Sequence, residues 1–163
     1  MKNIKKKVLI TGSSSGIGLN IAKYLASKNY QVIGISRTIP KIKKNYSHVK
    51  FDLTDYNSYD DLFLNLYKKF GRFDNFLYSA GKQFVKPIKI IKISDIDSMI
   101  DINLKSAILF SKFLAHKKFF KPNSSAVFIS SVMGVKGAKG QTIYSASKGG
   151  LISFVKSLAV ELS

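Results

Sequence analysis

Residues 8–26, VLITGSSSGIGLNIAKYLA, constrain the fold more than any other stretch. A short apolar, β-branched run gives way to a turn of serines and glycines, and a helical pattern follows. This is a strand–turn–helix unit. Gly12 suits the tight turn, Gly16 lets main chain approach a ligand closely, and Gly18 lets the helix pack near the strand. Backbone N–H groups at such a helix start face an anion, which the helix dipole also favours. The same turn without a ligand satisfies the pattern as well.

Strand and helix patterns alternate along the whole chain. Strand-like runs at 8–11, 31–35, 49–51, 75–78 and 126–130 alternate with helical patterns at 17–27, 58–70, 94–119 (with a split allowed) and 144–162. The strands show little polar alternation, as expected of a sheet covered on both faces, and the connections are of helix length. The expected class is α/β, a doubly wound parallel sheet in three layers. With no internal repeat or long linker, residues 1–163 read as one domain.

Composition narrows the chemistry. There is no cysteine, and His48 and His116 are the only imidazoles, so no metal site is expected. The net charge of +18 comes from 27 basic and 9 acidic residues. Only Arg37 and Arg72 supply a guanidinium, and the lysines are scattered, so a solvated basic surface is expected before a specific nucleic-acid face. No apolar stretch reaches membrane-spanning length, and the leader-like lysines at the start meet Gly12–Gly16 after a few apolar residues. The expected location is the cytoplasm, with no membrane partner.

Two other motifs compete for the glycine turn. A phosphate-binding loop needs lysine and then serine or threonine after its last glycine, and neither follows Gly18. Gly12, Ser14 and Gly16 do satisfy the Gly-x-Ser-x-Gly nucleophile elbow, which makes Ser14 with His116 a weaker serine-hydrolase alternative. The second strand ends in Ser36 and Arg37, where an acidic residue would bind a ribose 2′-hydroxyl and a cation accommodates a 2′-phosphate. This favours NADP(H) over NAD(H), although Arg37 also fits a plain surface cation.

Tyr144 and Lys148 are four residues apart, about 6 Å of rise, and so share one helix face. A nearby ammonium favours the phenolate, and the positive end of the dipole near the helix start acts in the same direction. Together they make a general acid suited to a carbonyl oxygen gaining charge, although the spacing alone also fits a surface aromatic–cation pair. Ala146, Ser147, Gly149 and Gly150 would admit something flat against this helix, and Leu151, Val155, Leu158 and Leu162 mark its core-facing stripe.

With TGSSSGIG at 11–18, SAG at 79–81, IN at 102–103, ISSV at 129–132 and YSASK at 144–148, the chain resembles the short-chain dehydrogenase/reductase family, especially its 3-oxoacyl-[acyl-carrier-protein] reductase branch. The resemblance implies a Rossmann-like sheet of strand order 3-2-1-4-5 and reduction of a carbonyl to a secondary alcohol. It casts Tyr144 as proton donor, Lys148 as the group lowering its pKa and holding the nicotinamide ribose, Ser131 as the hydrogen-bond donor to the carbonyl, and Asn103 as part of a proton relay. Ser131 is preferred to Ser130 because the family's serine directly precedes the VMG-like stretch. The cofactor would touch Gly12, Ser14, Ser15, Gly16, Ile17, Gly18, Ser36, Arg37, Asp52, Leu53, Ser79, Ala80 and Gly81, besides Tyr144 and Lys148. Asp52 would bind adenine. Local bonding gives bland alternatives for Asn103, Asp52 and Ser131.

Two departures accompany the resemblance. Ser79 stands where the family has asparagine. The family also continues past the last helix into two further strands and a substrate-covering region, so strand five is expected to be a sheet edge, with poor solubility or altered assembly. A catalytically silent nucleotide-binding or interaction module is the alternative this raises. The implied partners are a small or carrier-bound carbonyl compound and a second copy of the chain, docked through residues near 94–119 and 144–162.

Overall fold

Apolar strands flanked by turns need neighbours on both sides, and the computed structural model, which describes residues 5–163, supplies them. The start of the leader-like segment, residues 1–4, lies outside the described residues. Strands β1 (Lys7–Thr11), β2 (Gln31–Ser36), β3 (Tyr46–Lys50), β4 (Phe73–Tyr78) and β5 (Phe120–Phe128) form an all-parallel sheet of order β3-β2-β1-β4-β5. In the middle of the sheet, Val8 to Thr11 pair with Val32 to Ile35 on one side and with Asn75 to Tyr78 on the other. The helices are α1 (Gly16–Ser27), α2 (Tyr59–Phe70), α3 (Ile93–Ile100), α4 (Ser106–Ser111) and α5 (Thr142–Glu161).

The chain resolves into two compact units. One comprises the chain through Ala80 together with Lys112–Phe128, and the other Gly81–Ser111 with Ile129–Ser163.

The first unit carries the whole sheet with α1 and α2. Helix α2 buries Tyr59, Leu62, Phe63, Leu66 and Phe70, a stripe of helical period. Asp60 and Asp61 in its first turn and Lys68 and Lys69 in its last suit the helix dipole. Residues 112–119 were expected to be helical but turn instead. Phe113 and Phe119 both pack on Phe63, with ring centroids at 3.8 and 5.4 Å, and a spacing of six residues does not bring two rings to one helix face. Strand β5 begins at Phe120, earlier than expected, and its pairing is interrupted before Ser125, around a left-handed Asn123. Strand β3 also starts early, at Tyr46, through a polar run the alternation pattern does not mark.

Asp74 at the start of β4 ties three strands together. Its carboxylate accepts from the Lys7 N–H at 2.8 Å and from Lys121 Nζ at 2.7 Å. Burial opposes ionisation, but the Lys121 ammonium and the Lys7 N–H outweigh it and hold the carboxyl below its ordinary range. A depressed carboxyl adds stability that is present above the unfolded-state pKa and is lost as pH falls through the folded-state value. Asp74→Asn should therefore cost about 1–3 kcal/mol near pH 7 in equilibrium urea unfolding, with the gap to wild type closing in acid. An equal gap at low pH would contradict this account.

The second unit is helical. Between α3 and α4 lies a π-helical turn, Asp101–Lys105, without a break in the helical backbone. In α5 the expected apolar stripe fades: Leu151 is buried, Val155 and Leu158 are half-buried and Leu162 is exposed. Gly149 and Gly150 are closed off by the chain itself, since an added Cβ would come within 3.1 Å of the Gly134 carbonyl oxygen and 2.9 Å of Leu104 Cδ2. They serve helix packing, not a flat ligand.

Candidate active site

The glycine turn lies in the first unit. Gly12 has φ +68° and donates its N–H to the Ile35 carbonyl, and an added Cβ there would meet the main chain of Ala80 at 2.7 Å. Gly18 abuts the Gly12 carbonyl oxygen, 2.3 Å from where its Cβ would stand. The turn, the start of α1 and the end of β4 are therefore in direct main-chain contact. Gly16 differs: φ is +54°, yet a Cβ there would project into open space. Ser15 caps α1 without a side-chain hydrogen bond, and Ser14 is half-buried while Ser15 and Ile17 are exposed. An open cradle over main-chain N–H groups at a helix start fits a pyrophosphate.

Other residues expected at the cofactor lie in the same unit. Ser36, at the end of β2, is buried and donates to the Thr38 carbonyl at 2.8 Å. Arg37 is exposed and lies 3.9 Å from Asp52. The Thr54 N–H and hydroxyl hold Asp52 below the ordinary carboxylate range against burial, with the Arg37 guanidinium helping. One Asp52 oxygen is thus bound locally to Thr54. Leu53 is buried and its carbonyl accepts from the Tyr59 hydroxyl. The Ser79 N–H donates to Thr11 Oγ1 at 3.2 Å, and Ala80 is buried.

The second unit assembles the expected catalytic residues. Lys148 is buried, its Nζ donates to the Ile129 carbonyl at 2.8 Å, and it lies 6.0 Å from the centroid of the Tyr144 ring. Burial pulls the Lys148 pKa below its ordinary value, so an anion forming nearby would favour the ammonium. Gly81 faces the same place, with an added Cβ 3.3 Å from Asn103 Oδ1 and 3.6 Å from Lys148 Nζ. Asn103 sits in the π-helical turn, fully buried, where such turns often serve function. Its side chain accepts from the Lys82 N–H at 2.7 Å and donates to the Lys82 carbonyl and to Ser147 Oγ, each at 2.9 Å. Ser147 in turn donates to the Tyr144 carbonyl at 2.8 Å.

The two candidate serines differ in their bonding. Ser130 donates its hydroxyl to the Lys148 carbonyl at 3.1 Å, so its hydrogen is spent. Ser131 accepts from the Met133 N–H at 3.2 Å, which leaves its hydroxyl hydrogen to donate elsewhere.

The sequence profile of the family described as short chain dehydrogenase matches residues 6–163. The chain belongs to that family. Its sheet is Rossmann-like. A 3-oxoacyl-[acyl-carrier-protein] reductase from Buchnera aphidicola subsp. Baizongia pistaciae is 36% identical across the whole chain, which spans 70% of that relative. A short-chain dehydrogenase family protein from Francisella tularensis superposes with a TM-score of 0.88 at 30% identity, covering 98% of this chain and 64% of its own. ElxO with NADP bound gives 0.86 at 30% identity, over 98% of this chain and 68% of that one.

Within this short-chain dehydrogenase, the partners that hold the site together carry little mark in the sequence. Lys82 and Ile129 contribute main-chain groups, which no residue type announces, and Ser147 was read only as a small residue. The hydrolase alternative finds no support among the described residues: no hydrogen bond joins Ser14 to His116, whose ring packs with Phe113 and Phe119.

Proposed function

We propose that the chain is an NADPH-dependent reductase of ketones, with a 3-oxoacyl thioester as its first substrate class, working in the cytoplasm as a homodimer. The observation that carries this is the buried Lys148 ammonium beside the Tyr144 ring. Buried lysine is rare unless its charge is used or paired. The reductases among the relatives support the substrate class, and a surface of net charge +18 suits an acidic carrier.

NADPH, when bound, supplies the hydride. Gly12, Ser14 to Gly18, Ser36, Arg37, Asp52, Leu53 and Ser79 to Gly81 would hold it, and Lys148 would hold the nicotinamide ribose. Tyr144 donates the proton that the carbonyl oxygen takes as it gains charge, and Lys148 stabilises the phenolate left behind. Ser131 donates to the same oxygen. Asn103 fixes the geometry by tying the Lys82 main chain to Ser147 and so to Tyr144. A relay through Asn103 would use its main-chain carbonyl or the remaining lone pair of Oδ1.

Titration of the purified chain with each nucleotide, followed by thermal unfolding, tests the reading. Saturating NADPH should raise Tm by about 5–10 °C, with a smaller rise for NADH. Equal rises would overturn the role of Arg37, and no rise with either would overturn the cofactor assignment for this chain.

A further inference from the structure

Between Lys82 and α3 the chain turns apolar side chains outward. Val85, Ile88, Ile90 and Ile93 are 67, 65, 59 and 78% exposed. Single exposed apolar residues are ordinary, but a run of them marks a contact surface. A second loop of the same unit joins this one. The Lys86 N–H donates to the Gly140 carbonyl at 2.8 Å, and an added Cβ on Gly140 would stand 2.8 Å from Val85 Cγ1. That second loop carries Val135, which is 80% exposed.

Lysines are interleaved with these side chains. Lys82, Lys89 and Lys92 are exposed on the first loop, as are Lys136 and Lys139 on the second. Neither residues 82–93 nor residues 129–142 include an acid. Asp95, the first acid beyond the first loop, is already engaged by the Lys86 ammonium and the Lys92 N–H. The main chain is prepared for a drier environment as well. Ile90 and Ile91 donate to the carbonyls of Pro87 and Ile88 at 3.1 and 3.3 Å, and Pro87 has no N–H to satisfy.

We propose that this face docks on an anionic bilayer surface, with the aliphatic side chains in the interfacial layer and the lysines among the headgroups. Its composition favours lipid over protein. Protein interfaces draw on aromatic residues and arginine and are depleted of lysine, whereas lysine stems lie along an apolar layer and keep their ammonium in water. The contact is peripheral, since no helix of the described residues is long and apolar enough to cross a membrane. It does not depend on the reductase reading, although the segment starts at Lys82, whose main chain is bonded to Asn103.

Co-sedimentation of the purified chain near physiological ionic strength tests this, with vesicles of phosphatidylcholine alone and of phosphatidylcholine and phosphatidylglycerol in equal parts. Wild type should bind the anionic vesicles and leave the neutral ones in suspension. A strongly basic protein also adsorbs through charge alone, so the deciding variant is Ile88→Ser/Ile90→Ser/Ile93→Ser, which keeps every charge. It should bind anionic vesicles about tenfold more weakly or worse, and Lys89→Gln/Lys92→Gln about fivefold more weakly for each lysine removed. Lys41→Gln/Lys43→Gln/Lys44→Gln, at exposed lysines of the other unit, should stay within about twofold of wild type. The chain has no tryptophan, so Ile90→Trp reports insertion directly. Its emission should shift to the blue on anionic vesicles, and that of Ile39→Trp, exposed on the other unit, should not.

Undiminished binding of the isoleucine variant, or an unshifted Ile90→Trp spectrum on bound protein, would leave nonspecific charge alone and overturn the proposal. Wild type that fails to bind anionic vesicles overturns it as well. If the isoleucine variant instead loses affinity for an acidic carrier protein, or splits a dimer seen by light scattering, with vesicle binding unchanged, the face belongs to a protein and the lipid assignment falls.

Discussion

Tyr144→Phe should lower turnover of a 3-oxoacyl thioester by roughly 10²–10⁴-fold, the usual contribution of a positioned general acid, while NADPH binding stays within about twofold of wild type. The ring remains, so its packing with Lys148 remains, and only the hydroxyl is lost. A substitution that lowers kcat without weakening cofactor binding has removed an interaction made in the transition state. Stopped turnover together with lost NADPH binding would mean that the phenol holds the site in shape instead of donating a proton. Undiminished turnover would remove the reductase mechanism altogether. Binding of NADPH without reduction of any ketone in a broad panel, by the wild-type chain, would make it a nucleotide-binding module.

Lys148 explains why this effect should be large. Its ammonium is out of water, bonded to one main-chain carbonyl, and its pKa is pulled down by burial. In the proposed reaction an anion forming beside it would relieve part of that desolvation. The sequence predicts the pair from a four-residue spacing. It does not predict the burial, which depends on α5 lying against the turn at Val132–Gly134 and on Ile129 having left the strand.

Much of the fold was legible because the relevant signals are local. The strand runs at β1, β2 and β4 are apolar and bounded by turn residues, and the order β3-β2-β1-β4-β5 follows the resemblance. What was missed depends on tertiary context. Tyr46, Ser47 and His48 carry no apolar run, yet they are strand because Val32, Ile33 and Gly34 of β2 pair with them. The π-helical turn at Asp101–Lys105 has no compositional mark. Its effect shows in the bonds of Asn103, which reach Lys82 on one side and Ser147 on the other. Ser130 and Ser131 are adjacent and alike in type, and only their bonding partners separate their roles.

Gly18→Ala carries the second large expected effect, and Gly16→Ala is its control. A Cβ on Gly18 would meet the Gly12 carbonyl oxygen at 2.3 Å, Gly12 C at 3.0 Å and Ser79 Oγ at 3.1 Å. The first two are main chain, so they cannot rotate away. Either α1 shifts or the turn opens, which should cost about 2–3 kcal/mol in urea unfolding and weaken NADPH binding more than tenfold. At Gly16 the added Cβ meets nothing, and the cost is that of a left-handed backbone, about 1–2 kcal/mol. If the open space over Gly16 is where the pyrophosphate rests, Gly16→Ala should still lose NADPH affinity by tenfold or more, because the new methyl group occupies the place the ligand needs. Retained affinity in Gly16→Ala, with loss in Gly18→Ala, would mean that the glycines shape the fold of the turn and that the phosphate lies elsewhere.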